Sequence, residues 1–247
     1  MSTLTVDTVT SSTADSDLSL DGNGTGVVDL GAGYKVGGTV DLLSGVAPGT
    51  NGNLLTSNGS AWTSAAAAGG GAWTLLGTGT ASGSALIEFT SLIDSTYDQY
   101  EVTISDVIFA SDSNQLYMRT SADNGSTYDA ASDYANGTNT IVHNGIVTSS
   151  TIAAINASSV VELVKTASVG NAAGESLSGR LSLYKPSSTT TTKFSHNFVY
   201  DDTNGNFVQS YGGGCRHASE AVNAIKFYAV SGNITSGVFR LYGINNS

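Results

Sequence analysis

The chain has 247 residues, with 20 acidic side chains against nine basic ones and three histidines, for a formal net charge of -11. That balance leaves no basic stripe to neutralise phosphates and excludes a nucleic-acid partner. A single cysteine, Cys215, excludes a disulfide framework and a cysteine-rich zinc module. Charged residues are only 12% of the chain while glycine reaches 30 copies. With abundant Ser and Thr, this is the composition of turns and β-branched strands.

Neither a membrane span nor a secretory signal is expected. No stretch approaches the roughly 18 apolar residues of a span, and Met1–Asp7 has neither a basic start nor an apolar core. The expected route is folding in a cytoplasm and exposure on the surface of a particle.

Residues 1–71 hold no Phe, one Tyr (Tyr34), one Trp (Trp62) and one basic residue, Lys35. Such a segment cannot bury enough apolar surface to fold alone. It is nonetheless patterned: Leu4, Val6 and Val9 come first, Leu18 and Leu20 alternate around Ser19, and Val27, Val28 and Leu30 follow Gly26. Short apolar pairs between Gly/Asn turns suit extended segments that lie against a partner. Asn51-Gly52 and Asn58-Gly59 flank Asn53–Ser57, a hairpin signal. Ala65–Gly71 reads as a linker. The expected organisation is therefore an extended attachment segment (1–46), a short collar hairpin and linker (47–71), and a domain over 72–247.

From Ala72 the sequence reads as all-β. Trp73–Leu76 opens the domain. Ala85, Ile87 and Phe89 alternate, as do Tyr100, Val102 and Ile104, and Leu116 with Met118. Asp123-Asn124-Gly125-Ser126 predicts a tight turn. Val160–Val164, Leu181–Tyr184, Phe194–Tyr200, Ile225–Val230 and Val238–Ile244 predict further strands, and His217–Ala224 is the best candidate for a short helical turn. Recurrent strands with turn signals between them predict a sandwich or barrel, and the expected fold is an antiparallel β-sandwich, jelly-roll-like.

Candidate chemistry is sparse. Cys215 and His217 are two apart and share a face if extended, but a buried thiol beside a loop histidine is preferred to a nucleophilic pair. Asp201-Asp202, Asp129 and Asp133 are the clusters from which a glycosidase pair would be drawn, and adjacent loop acids are ordinarily turn formers. Asp123, Asn124 and Asp129 lack the full EF-hand spacing, so a hairpin turn is preferred to a metal site. The expectation is a protein that is not an enzyme and carries no cofactor or metal. Tyrosines near turns, Tyr97, Tyr128, Tyr134 and Tyr211, are the candidate faces for a sugar ring.

Three passages carry a resemblance. Gly49–Ser64 resembles a junction sequence of bacteriophage tail fibres. Phe89–Val102 with Leu116–Tyr128, and Ser231–Ile234 with Ser236–Ile244, resemble the distal β-domain of such proteins and its closing strands. The resemblance implies a homotrimeric virion fibre. Its N-terminus, anchored by Leu4, Val6, Val9, Leu18 and Leu20, would dock on a tail adaptor, baseplate or capsid protein. Its C-terminal domain would bind a host surface glycan or outer-membrane feature. The chain is short for a long tail fibre, so a short tail fibre is expected, with a capsid head fibre or decoration protein as the alternative.

Overall fold

The computed structural model describes residues 53–57, 62–66, 72–145 and 148–246, and divides the chain into two compact units, Met1–Ala68 and Gly69–Ser247. The apolar anchors expected at Leu4, Val6, Val9, Leu18 and Leu20 lie outside the described residues. All described secondary structure is strand, and no helix among these residues is long and apolar enough to cross a membrane.

In the first unit, β1 (Asn53–Ser57) pairs antiparallel with β2 (Trp62–Ala66). Thr56 and Thr63 face each other across it, their hydroxyls 3.2 Å apart. The second strand runs into the alanines expected to be linker, because Asn53 and Leu54 supply it with backbone partners as far as Ala66.

The second unit holds β3 (Trp73–Ser84), β4 (Ile87–Phe89), β5 (Gln99–Phe109), β6 (Leu116–Ser121), β7 (Tyr134–His143), β8 (Thr148–Ser158), β9 (Val161–Glu162), β10 (Leu177–Tyr184), β11 (Thr192–Asp201), β12 (Phe207–Arg216), β13 (Ala224–Ala229) and β14 (Ile234–Ile244). Eight strands form one antiparallel sheet in the order β3-β14-β5-β10-β11-β12-β7-β8; four form a second in the order β4-β13-β6-β9. The sheets pack face to face as an all-β sandwich. Its strands divide eight to four, unlike the even division of a jelly roll.

Alternation decides which face is core. Tyr100, Val102 and Ile104 of β5 point inward, and a bulge at Asp106 (φ 51°) lets Val107 and Phe109 do the same. Phe227 of the small sheet meets Phe239 of the large one at 5.3 Å between ring centroids. The Tyr134 hydroxyl, from β7, accepts a hydrogen bond from the Thr120 backbone N–H on β6 at 3.0 Å. Each fully buried aromatic contributes roughly 2–3 kcal/mol of hydrophobic stabilisation.

Two expected elements differ. His217–Ala224 is not helical, because its backbone donors serve other loops: His217 N–H bonds the Asp133 carbonyl and Val222 N–H the Pro186 carbonyl. Val160–Val164 contributes only the two-residue β9. Its flanking Leu163 bonds Leu116 through the backbone and buries its side chain.

Candidate functional site

The outer face of the large sheet carries a groove. In register across it lie Glu101 of β5, Ser182 and Arg180 of β10, and Asn197 and Ser195 of β11. Alternation turns these polar side chains away from the core, while Trp73, at the start of β3, packs edge-on against Tyr242 of β14 at 5.5 Å. Together with Gln99 and Tyr184 they line a depression of about 280 Å³. A second depression of about 370 Å³ continues from it, sharing Trp73, Arg180 and Asn197 and adding Thr103, Gly179 and Val199.

Glu101 is the unusual member. It lies on the outward face of its strand yet is only 2% exposed. Its Oε2 accepts a hydrogen bond from the Ser182 hydroxyl at 2.5 Å. Its Oε1 accepts no hydrogen bond from the described residues and lies 3.7 Å from Arg180 Nε. Buried carboxylates are normally hydrogen-bonded on both oxygens. Trp73 and Tyr184 remain 44% and 41% exposed, the latter with its hydroxyl 2.9 Å from that of Ser195. The groove thus combines two aromatic faces, one acceptor-only carboxylate and one guanidinium with outward donors.

A second cluster covers the outer face of the small sheet. Tyr117 and Tyr228 pack edge-on at 5.9 Å, Arg119 lies 5.7 Å over the Tyr228 ring, and Lys226 Nζ lies 4.5 Å over Tyr128. Burial, then the neighbouring Arg119, holds the Lys226 ammonium below its usual range. A third cluster lines a cavity of about 330 Å³, where Arg216 bridges Asp129 and Glu220 beside Asp123.

The four tyrosines singled out from sequence are not brought together. Tyr134 is fully buried, its hydroxyl also 3.0 Å from that of Thr120, and presents no face to a ligand; the turn-rich sequence before it hides an ordinary core position. Tyr97 is half-buried and packs edge-on against Tyr100 at 5.7 Å. Tyr128 donates to Glu88 Oε2 at 3.1 Å, and burial followed by that bond pushes its phenol up. Tyr211 alone stands exposed on β12, accepting from Asn139 Nδ2 at 2.8 Å.

None of the other candidates lines the groove. Cys215 Sγ lies 3.6 Å from His217 Nε2, and among the described residues no carboxylate hydrogen-bonds that ring. Asp202 is buried, which raises its pKa, but bonds from Asn206 and Asn204 outweigh this and hold it below the usual carboxylate range. Both Asp123 oxygens are taken by Ser121 and Thr127, and Asp129 by Arg216. Among the described residues no three His, Cys, Asp or Glu side chains gather as a metal site.

Trp73, Glu101, Arg180 and Tyr184 were not legible as a site in sequence, since they come from three strands far apart in the chain. The available signal was slight: an acid and a base in mid-strand, in a chain with few charges. No protein-family model matches the chain, and neither curated proteins nor solved structures provide a match.

Proposed function

We propose that the chain is a bacteriophage virion protein, a short tail fibre whose N-terminal segment docks on the particle and whose C-terminal sandwich binds the host cell surface. The observation that carries this reading is the outer-face groove, with binding chemistry on a rigid sheet and an aromatic wall beside paired charges. The resemblance of residues 49–64 and of the closing strands to tail fibres supports it from the sequence side.

A homotrimer belongs to the same proposal. A two-stranded hairpin is marginal by itself in water, and Leu54 and Leu55 of β1 are 54% and 41% exposed. Identical chains meeting on a three-fold axis bury such residues, and the edge strand β8, with Ile152 exposed, gains from the same protection. No catalytic step is part of the proposal.

Antibody against the full chain, imaged by electron cryo-microscopy on intact particles, tests the reading. Label on the tail, a solution mass three times the 25.1 kDa of one chain, and inhibition of adsorption by added purified protein are the expected results. Label on capsid faces alone transfers the protein to the head-fibre or decoration class. A monomer in solution and on the particle overturns the trimer.

A further inference from the structure

We infer that the groove floored by Glu101 binds a neutral pyranose unit of a saccharide chain, stacked on Trp73 and clamped between the Glu101 carboxylate and the Arg180 guanidinium. This deepens the fibre reading and rests on it only for the source of the saccharide.

The argument begins with charge. A cation entering the groove meets Arg180, and an anion meets Glu101 within a chain of net charge -11. The adjacent pair therefore disfavours either sign and suits a neutral ligand that both donates and accepts. Glu101 Oε1 offers acceptor capacity that no donor among the described residues uses, so the ligand must bring hydroxyl donors. Arg180 is 64% exposed on its side chain and directs Nε toward the carboxylate, leaving its terminal nitrogens to donate outward. A pair of vicinal hydroxyls satisfies both partners at once, one giving its proton to Oε1 and the other accepting from the guanidinium.

The walls select among polyols. Trp73 and Tyr184 expose flat apolar rings that match the C–H face of a pyranose, and Asn197 adds an amide with donor and acceptor. The adjoining depression is lined by Thr103, Gly179 and Val199. It is less polar and continuous with the first, as a neighbouring sugar in a chain requires. Ser182 holds Oε2 through its hydroxyl, so Oε1, buried beneath the Arg180 side chain, is the oxygen left to accept from a ligand that displaces the guanidinium. The strands supplying the polar groups, β5, β10 and β11, are hydrogen-bonded in one sheet, and β3 joins it through β14, so little ordering cost remains for binding.

Calorimetric titration of the full-length protein with maltotriose, galactobiose and triacetylchitotriose, alongside N-acetylneuraminic acid and glucuronic acid, tests the inference. Binding of at least one neutral saccharide is expected. Glu101→Gln, which keeps the side-chain volume, and Trp73→Ala each weaken it tenfold or more, the size of one charge-assisted hydrogen bond or one stacked ring. Tyr228→Ala, on the opposite sheet, leaves affinity unchanged, and unaltered circular dichroism and melting of each variant separate lost binding from lost folding. Binding of acidic sugars only, neutral binding that survives both groove substitutions, or no binding to any of the neutral saccharides overturns the site. Saccharide binding without label on the particle overturns the fibre reading alone; label without saccharide binding overturns the groove alone.

Discussion

Arg216 Nε donates to Asp129 Oδ2 at 2.7 Å, joining the end of β12 to the loop between β6 and β7, with side chains 5% and 11% exposed. The guanidinium also reaches Glu220 at 3.0 Å, but that carboxylate is 62% exposed and screened by water. Asp129 is therefore the partner that matters. Asp129→Ala leaves a buried guanidinium half-compensated and is expected to cost about 3 kcal/mol in urea denaturation. Glu220→Ala is expected to cost less than about 0.5 kcal/mol. Equal effects of the two substitutions would show that the loop, not the ion pair, sets stability here.

His196 predicts a pH dependence. It lies on the inner face of β11 with Nε2 3.4 Å from the Thr138 hydroxyl, and burial pushes its imidazole down to about 4 from an ordinary 6.5. The unfolded chain therefore binds a proton below pH 6.5 that the folded chain refuses until near pH 4. Stability from this group is complete above pH 6.5 and is lost as pH falls toward 4, on the order of 3 kcal/mol in all. Denaturation midpoints measured from pH 7 to pH 4 check it. His196→Gln is expected to flatten the curve between pH 6.5 and 5, where few carboxylates titrate.

The Asp123 loop gives the opposite kind of group. Ser121 first, then the Thr127 side chain and backbone N–H, bond its carboxylate and hold it at about 2, against an ordinary 3.8. The folded value is depressed, so the loop's order is full above pH 3.8 and lost as pH falls through about 2. The amide resonance of Thr127, followed through an acid titration, should move with a midpoint near 2. A midpoint near 4 would mean that the three hydrogen bonds do not form in solution.

What was legible in the sequence was what alternation encodes locally. Ile87 and Phe89, Leu116 and Met118, and Phe194, Phe198 and Tyr200 all face the core as their spacing requires. β7 and β12 were not picked out, for an identifiable reason. Thr138, Thr140 and Ser210 are buried polar residues, and Gly212–Gly214 carries no side chain, so the apolar period is absent from strands that are nonetheless central. The hydroxyls find long-range partners, Thr140 Oγ1 donating to the Lys165 carbonyl at 3.0 Å, Ser210 Oγ to that of Leu163 at 3.5 Å and Thr138 Oγ1 lying 3.4 Å from His196 Nε2, which no local pattern announces. The groove was illegible for the related reason that lateral register between β5, β10 and β11 creates it.

The glycine run in β12 shows what the strand demanded instead of side chains. A Cβ at Gly214 would meet the Ala135 carbonyl oxygen and the Asn136 Cα of β7, and one at Gly212 the Gly137 carbonyl. These are backbone atoms held in a ladder, so they have nowhere to retreat. Gly214→Ala is expected to destabilise by about 3 kcal/mol through enforced separation of β12 from β7. Gly137, on the facing strand, is the control. Its added Cβ would stand 3.9 Å from that of Ala154, an ordinary contact. Gly137→Ala should therefore be neutral or stabilise by up to about 1 kcal/mol, because alanine restricts the unfolded chain. Melting curves of the two single variants decide the matter, and a large loss at Gly137 would place the close approach elsewhere than along β12.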